Sequence, residues 1–409
     1  MIQSVAHQGA APGNQPVVVS AVRTPIGRFG GALCDVGPIE LATLVIREAI
    51  DRAGVQPSQI DEVVIGHTLI AGGTPNVGRQ AALMAGLPVE IPAHGVERQC
   101  GTGLQAICDA MMQIQTGMSE VVVAGGVESM STIEYYVPDV RWGPRLGSLT
   151  FVDRWEKATE ACSSYKFGVI PSMLHTAANV AEKLSISRED QDRFALRSQQ
   201  NTATAIAAGK FDDEIVPVPV PQKGGKVVMF DRDEHPRPDT TLESLAALKP
   251  LAGGTITAGN SSGLNDGAAA CVVMSERKAH ELGLEPMGYL RAWAIAGVHP
   301  AYMGLGPVPA VKQLLQKTGL TLADIDLVEL NEAFAAQAVG CLRELAITDY
   351  GNVNVNGSGI ALGHPIGATG ARIMATLVHE MKRRGARYGV ETMCIGGGQG
   401  IAALVERKA

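Results

Sequence analysis

Aromatic side chains are scarce in this 409-residue chain, at 4% of positions, so it offers few stacking surfaces. No run of basic residues forms a stripe either. Lys and Arg number 34 against 41 Asp and Glu, a net charge of −7, which argues against a nucleic-acid or anionic-membrane surface. Seven cysteines stand at positions 34, 100, 108, 162, 271, 341 and 394, with no C-x-x-C pair and no Cys/His spacing that would hold zinc. No metal is therefore expected, and the thiols read as reduced, which points to the cytoplasm. No apolar stretch approaches the roughly 18 residues that a membrane span needs. Residues 1–15 have neither an apolar signal core nor an Arg-rich amphipathic pattern, and read as a flexible leader.

What the chain does have is glycine, 48 residues of it, with 46% hydrophobic and 18% charged positions, the texture of an α/β globular protein. Its length is a little under three domains' worth at about 150 residues each. Apolar β-branched runs at 16–22 and 62–65 read as strands, and the helical period over 39–53 reads as a helix between them. Laid over itself at an offset of 265, the chain repeats. Ala49-Ile50-Asp51-Arg52-Ala53-Gly54 falls on Leu314-Leu315-Gln316-Lys317-Thr318-Gly319, and Ile60-Asp61 falls on Ile325-Asp326, each followed by a strand. Two similar halves are implied, although any two αβ units share some of this pattern. Between them, residues 130–258 hold two of the three tryptophans, the proline-spaced run Val216-Pro217-Val218-Pro219-Val220-Pro221 and a polar stretch over 231–239. This texture predicts an insertion outside the sheet core.

Several residues could carry chemistry. Cys100 precedes Gly101-Thr102-Gly103 and a helix with apolar residues at helical spacing; at a helix N-terminus the macrodipole favours thiolate, the form of a nucleophile. A buried core cysteine would look the same in sequence. The stretch also fits G-x-G-x-x-A at Gly101, Gly103 and Ala106, but the preceding His94-Gly95-Val96-Glu97-Arg98-Gln99 is too polar for the central strand a dinucleotide site requires. Asn331-Glu332 ends a second-half strand, where α/β folds keep their sites, though a turn residue would also fit there. In Gly363-His364-Pro365-Ile366-Gly367, the proline holds His364 extended, presenting the imidazole that a Cys–His pair needs. Cys394 lies on a strand running into Gly396-Gly397-Gly398-Gln399-Gly400, whose bare amides could face an oxyanion or simply pack tightly. Each motif is ambiguous alone. Their conjunction at strand ends of two repeated halves is specific.

Taken together, these segments resemble the thiolases, acyl-CoA acetyltransferases, from residue 17 to residue 406. Val22-Arg23-Thr24-Pro25-Ile26-Gly27, the Cys100 segment, Gly125-Gly126-Val127-Glu128-Ser129-Met130-Ser131, the stretch 257–267, Asn331-Glu332-Ala333-Phe334-Ala335, the His364 segment and the Cys394 segment all match. Ketoacyl synthases share a nucleophilic cysteine but lack the Asn-Glu-Ala-Phe segment and second cysteine together.

The resemblance implies an α/β fold of two pseudo-twofold-related αβαβα halves, 16–129 with 266–285 and 286–409, and an inserted loop domain, 130–265, covering coenzyme A. It implies that Cys100 is acylated, that Cys394 moves the proton on the acetyl α-carbon and that His364 activates Cys100. Asn331 would hold a water in a first oxyanion site, and the amides of Cys100 and Gly396 would form a second. Arg237, Ser244 and Ser262 would contact coenzyme A, a co-substrate rather than a resident cofactor. Met173, Met303 and Phe334 would line the acyl end. Expected partners are CoA and acyl-CoA, with a homodimer or homotetramer in which a loop near 135–149 makes contacts. The chain departs from the family pattern at Glu97-Arg98-Gln99, at Thr102 where serine is usual, and at Ser172-Met173-Leu174-His175, where a pantetheine-side histidine is absent from its usual place. A non-catalytic acyl-CoA-binding relative is the alternative.

Overall fold

The structure is a computed structural model that describes residues 13–161, 165–168, 170–251 and 254–408. In chain order the first half runs β1 (Pro16–Arg23), α1 (Pro38–Ala53), β2 (Glu62–His67), α2 (Val77–Met84), β3 (Ala93–Val96), α3 (Thr102–Thr116) and β4 (Val121–Ser129). A long excursion carries α4 (Met173–Lys183) and α5 (Arg188–Ala207), after which the chain returns as β5 (Asn265–Ser275). The second half is β6 (Gly288–Gly297), α6 (Pro307–Thr318), β7 (Leu327–Leu330), α7 (Ala335–Glu344), α8 (Thr369–Arg384), β8 (Tyr388–Ile395) and β9 (Gln399–Glu406).

The repeat read from the sequence is present in local detail. Helix α1 opens on a proline, buries Leu41, Val45, Ile46, Ala49 and Ile50 at helical spacing, and stops at Gly54 in the left-handed region, φ 69°. Helix α6 opens on a proline and stops at Gly319, φ 70°. A 3-10 turn follows each stop, at Pro57–Gln59 and Leu322–Asp324.

The strands share one sheet in the order β7-β8-β9-β6-β1-β5-β4-β2-β3. Its middle is thin, because β1 and β6 pair only through Val17 with Tyr289 and Val18 with Gly288. On either side of that seam the pattern is the same. β1 and β5, then β5 and β4, are antiparallel, and β2 runs parallel to β4. Likewise β6 and β9, then β9 and β8, are antiparallel, and β7 runs parallel to β8. Where β3 lies parallel to β2 in the first half, Val353 makes a parallel bridge to Val328 in the second. Both seam strands carry an irregularity at the matching place, Val18/Ser20 and Leu290/Ala292. The polar segment judged unfit for a central strand is β3, an edge strand, where such residues are tolerated.

Three apolar layers hold the five structural layers together. The central one joins Leu104, Ile107, Met111 and Ile114 of α3 to Ile373, Met374, Leu377 and Met381 of α8, sandwiched between the half-sheets. An outer layer packs α1 and α2 on the first half-sheet, and another packs α6 and α7 on the second. At the crossing of α3 and α8 only glycine fits: a Cβ on Gly103 would lie 2.7 Å from the Ala371 amide nitrogen, and one on Gly370 would lie 2.2 Å from that of Leu104. The glycine spacing that imitates a dinucleotide fingerprint thus serves helix packing.

Among the described residues, no strand of the excursion joins the main sheet beyond an isolated bridge between Ile215 and Arg23. The excursion is nonetheless built into both halves. Ala177, Val180 and Phe194 of α4 and α5 lie in the second half's outer core, while Val216, Val218 and Val220 lie in the first's. Buried Arg23 clamps it through Glu214 at 2.6 Å and Asp233 at 2.7 Å. Of the leader, residues 1–12 lie outside the described residues. Residues 13–15 are tied down rather than loose: Gln15 Nε2 donates to the Leu290 carbonyl at 2.8 Å, and the Gly13 carbonyl accepts from the Arg277 amide at 3.2 Å. No helix among the described residues is long and apolar enough to cross a membrane.

Candidate active site

Cys100 sits in the 3-10 turn Gln99–Gly101, directly before α3. Gln99 is held at φ +46°, a strained conformation for a side-chain-bearing residue. Its amide donates to Glu97 Oε1 at 2.5 Å, and its carbonyl accepts from Thr68 Oγ1 at 3.3 Å. Arg98 donates to Gln105 of α3 at 2.7 Å and to Gln399 at 3.1 Å, so it ties the nucleophile turn to the glycine loop of the other half. The departures from the family pattern at 97–99 are thus a connected set. Thr102 accepts from the Arg98 amide at 2.7 Å.

His364 is 6% exposed and held from several directions. Its amide donates to Asn265 Oδ1 at 2.9 Å, and Asn265 Nδ2 donates to the Gly27 carbonyl at 2.9 Å. A Cβ on Gly363, φ +100°, would meet that asparagine side chain at 2.6 Å, so only glycine lets the loop approach. Nδ1 lies 2.6 Å from Thr369 Oγ1, and Nε2 lies 3.5 Å from Asn331 Nδ2. Burial, reinforced by the positive charge of Arg372, lowers the imidazole pKa to about 3. At neutral pH it is an uncharged base. Three residues on, the Gly367 amide donates to Glu128 Oε2 at 3.0 Å. Glu128, wholly buried, also accepts from the amides of Thr68 at 3.2 Å and Leu69 at 3.3 Å, so the first half holds the histidine loop of the second.

Asn331 follows the last residue of β7 and is fully buried; its Oδ1 has no hydrogen-bond partner among the described residues. The adjacent Glu332 turns into the protein, accepting from Ser198 Oγ at 2.5 Å, Asn354 Nδ2 at 2.8 Å and the Ile360 amide at 3.3 Å. Its role is to brace the strand end, and burial raises its pKa.

Cys394 is the penultimate residue of β8 and fully buried. The two cysteine turns abut, since a Cβ on Gly101 would lie 2.7 Å from Ile395 Cδ1. Burial pushes the Cys394 thiol well up, with Cys100 and Cys341 adding to the rise, so it rests protonated as an acid. After Gly396 the loop passes through Gly397, φ 81°, and Gly398, φ 87°; a Cβ on Gly398 would strike the Val298 carbonyl at 2.4 Å. No disulfide joins the six described cysteines, and Cys162 lies outside the described residues.

A cavity of about 760 Å³ joins these parts. Its lining includes Cys100, His364 and Gly396 together with Arg237, Ser244, Ser262, Met173, Met303 and Phe334; Asn331 and Cys394 are absent from the lining. Arg237 is exposed. Ser244 Oγ donates to the Thr241 carbonyl at 2.8 Å as part of a helix cap, which leaves it lone pairs but no spare proton. Met303 and Phe334 belong to the second half's core as well, so packing and lining coincide. Ser172 lines the cavity and its hydroxyl lies 2.9 Å from His175 Nδ1. Sequence reasoning missed Gln99, Trp155 and His235 on the wall, and Asn265, Glu128 and Thr369 behind it. His235 has no motif to mark it; burial and the charges of Arg237 and Arg28 lower its pKa to about 4. Among the described residues, no three His, Cys, Asp or Glu side chains are grouped to hold a metal.

Two repeated half-sheets around paired helices, with a cysteine and a histidine facing one cavity and a second cysteine behind it, define a class of cysteine-dependent acyl-transfer folds. The sequence model of the thiolase N-terminal domain matches residues 16–277 and that of the C-terminal domain matches 284–407, and the chain belongs to the thiolase family. It is 49% identical over 396 residues to the acetyl-CoA acetyltransferase of Cupriavidus necator, covering 96% of this chain and 99% of that protein. The probable acetyl-CoA acetyltransferase of Escherichia coli is 47% identical over 395 residues, 96% of this chain and 98% of its own length. Among solved structures, the Bacillus anthracis acetyl-CoA acetyltransferase superposes with a TM-score of 0.92 at 49% identity, over 96% of this chain and 98% of that one. Human mitochondrial 3-ketoacyl-CoA thiolase in complex with CoA gives 0.90 at 41% identity, over 97% and 98%.

Proposed function

We propose that this thiolase transfers an acyl group between coenzyme A and Cys100, cleaving 3-ketoacyl-CoA to acetyl-CoA and a shortened acyl-CoA, or condensing two acetyl-CoA molecules in reverse. The observation that carries this is the shared cavity wall of Cys100, His364 and Gly396, with the protonated Cys394 on the turn that abuts Cys100.

His364 Nε2, uncharged, takes the Cys100 proton as the sulfur attacks C3 of the substrate. The tetrahedral adduct collapses with cleavage of the C2–C3 bond, leaving an acyl group on Cys100 and the acetyl-CoA enolate. Cys394 gives its proton to C2 and acetyl-CoA departs. An entering CoA thiol gives its proton to the Cys394 thiolate and attacks the acyl carbon; Cys100 leaves and recovers its proton from His364. A thiol is well matched to both Cys394 steps, since its partners are an enolate and another thiol. Asn331 and the imidazole would serve one oxyanion, and the amides of Cys100 and Gly396 the other. The exposed cation of Arg237, with Ser244 and Ser262, suits the nucleotide end of CoA, and Met173, Met303 and Phe334 suit a short to medium acyl chain.

The lack of a disulfide among the described cysteines fits a reducing compartment such as the cytoplasm, and the chemistry belongs to fatty acid metabolism. Trp142 and Leu146 are 92% and 94% exposed on the 135–151 excursion, which supports a homodimer or homotetramer that covers them. The test is acetyl-CoA release from acetoacetyl-CoA plus CoA, repeated along a series of 3-ketoacyl chain lengths. Activity abolished in Cys100→Ala supports the assignment; CoA-dependent cleavage surviving in that variant overturns it, and binding without turnover in the native protein identifies an acyl-CoA-binding relative instead.

A further inference from the structure

The mechanism asks His364 to accept a proton at Nε2, which requires that Nδ1 carry the hydrogen of the neutral ring. Nothing about an imidazole guarantees this, since its two neutral tautomers lie close in energy and the partners decide between them. The partner of Nδ1 is Thr369, the first residue of α8 and wholly buried, with Oγ1 at 2.6 Å. The same Oγ1 lies 2.8 Å from the Pro365 carbonyl oxygen. A hydroxyl has a single hydrogen. If that hydrogen pointed at Nδ1, two oxygens would face each other at 2.8 Å with nothing between them in a buried site, a costly arrangement. The hydroxyl therefore donates to Pro365, and its remaining lone pairs accept from Nδ1–H.

We infer that Thr369 is a positioning residue that fixes His364 in the tautomer with a bare Nε2, which lies 3.5 Å from the Asn331 amide nitrogen in the cavity wall that His364 shares with Cys100. The inference rests on the assignment of Cys100 and His364 as nucleophile and base. Of the other ionisable groups, Arg372 from the helix turn that Thr369 opens acts on the ring by its charge, Cys100 and His235 share the cavity wall, and His235 lies 3.3 Å from Asn265 Nδ2, whose Oδ1 holds the His364 backbone amide rather than the ring. Arg372 has no hydrogen-bond partner among the described residues and opposes a proton on the ring without choosing between its nitrogens.

Two measurements test the tautomer. In the native protein labelled with 15N-histidine, the His364 resonances, assigned by their loss in His364→Gln, should show a protonated Nδ1 and an unprotonated Nε2; the reverse pattern overturns the inference. Separately, Thr369→Val keeps the side-chain shape and removes the acceptor, and should slow both iodoacetamide alkylation of Cys100 and thiolysis at pH 7 by at least about tenfold, the order expected when a catalytic histidine loses its orienting partner. Thr369→Ser restores the hydroxyl and should recover rates within about threefold of native, a factor small beside a lost hydrogen bond. Unchanged rates in Thr369→Val, or equal losses in the serine and valine variants with native melting temperatures, overturn the inference. Because Cys100→Ala tests the nucleophile by itself, the two failures are distinguishable.

Discussion

Glu128 offers the sharpest test of how the halves cooperate. It is fully buried on β4, yet its carboxylate accepts from the amides of Thr68, Leu69 and Gly367, and it lies 3.2 Å from His67 Nε2. In Glu128→Ala, three buried amides lose their acceptor. An unpaired buried donor costs about 1–3 kcal/mol, and breaking a buried charged cluster about 3–5 kcal/mol, the range to expect once water reaches part of the gap. With an unfolding entropy near 2 cal/mol/K per residue, a chain of this size should melt roughly 4–6 °C lower. Activity should fall further than stability explains. Gly367 is three residues from His364, and a catalytic group displaced by about 1 Å can cost up to 10²-fold in rate. Glu128→Gln, which keeps the volume and one acceptor oxygen, should lose about half as much stability as Glu128→Ala. The assay is calorimetric melting with steady-state thiolysis on the same samples. A Glu128→Ala enzyme melting within a degree of native at native kcat would refute the reasoning, because the amides would have to be satisfied by groups the structure does not show.

Cys394→Ala should separate the half-reactions: an acyl-thioester donor still labels Cys100, detectable by intact mass, while the full thiolytic cycle falls by roughly 10²–10⁴, the range for a lost general acid–base. If Cys100 can no longer be acylated, the division of labour is wrong. Stability should pass through a maximum near pH 6. His364 and His235 have folded pKa values near 3 and 4, so the unfolded chain, with histidines near 6.5, binds more protons below that value and stability is lost as pH falls. Glu329 runs the other way: burial raises it to about 8, the folded chain holds its proton, and stability is lost as pH rises from about 4.5 through 8. Denaturant titrations across pH 4–9 showing a monotonic curve would contradict this pair of assignments.

How much of this was legible in the sequence follows from whether a signal is local. The helix stops at Gly54 and Gly319, and the Ile-Asp pairs after them, recur because each half must end a surface helix and enter a buried strand, so an offset comparison finds them. Pro365 and the glycines around His364 and Cys394 mark turns at strand ends, which is why the candidate residues could be named. Pairings across the halves leave no such trace. Glu128 sits in a recognisable segment, but nothing near it shows that its oxygen meets Gly367. Nor does the composition of 130–258 show that α4 and α5 are bound into the second half's core.

The pseudo-twofold explains why the unreadable part is the functional part. Each central helix opens with the same dipeptide, Thr102-Gly103 in α3 and Thr369-Gly370 in α8, and each glycine lets its helix meet the other's backbone. The two N-terminal ends are thereby brought face to face, one behind Cys100 and one behind His364. The threonines have diverged within that symmetry. Thr102 accepts from the backbone amide of Arg98 and fixes the turn of the nucleophile, whereas Thr369 sits against the ring of His364. A duplicated packing device has thus been turned to two tasks, shaping a turn in one half and orienting a base in the other.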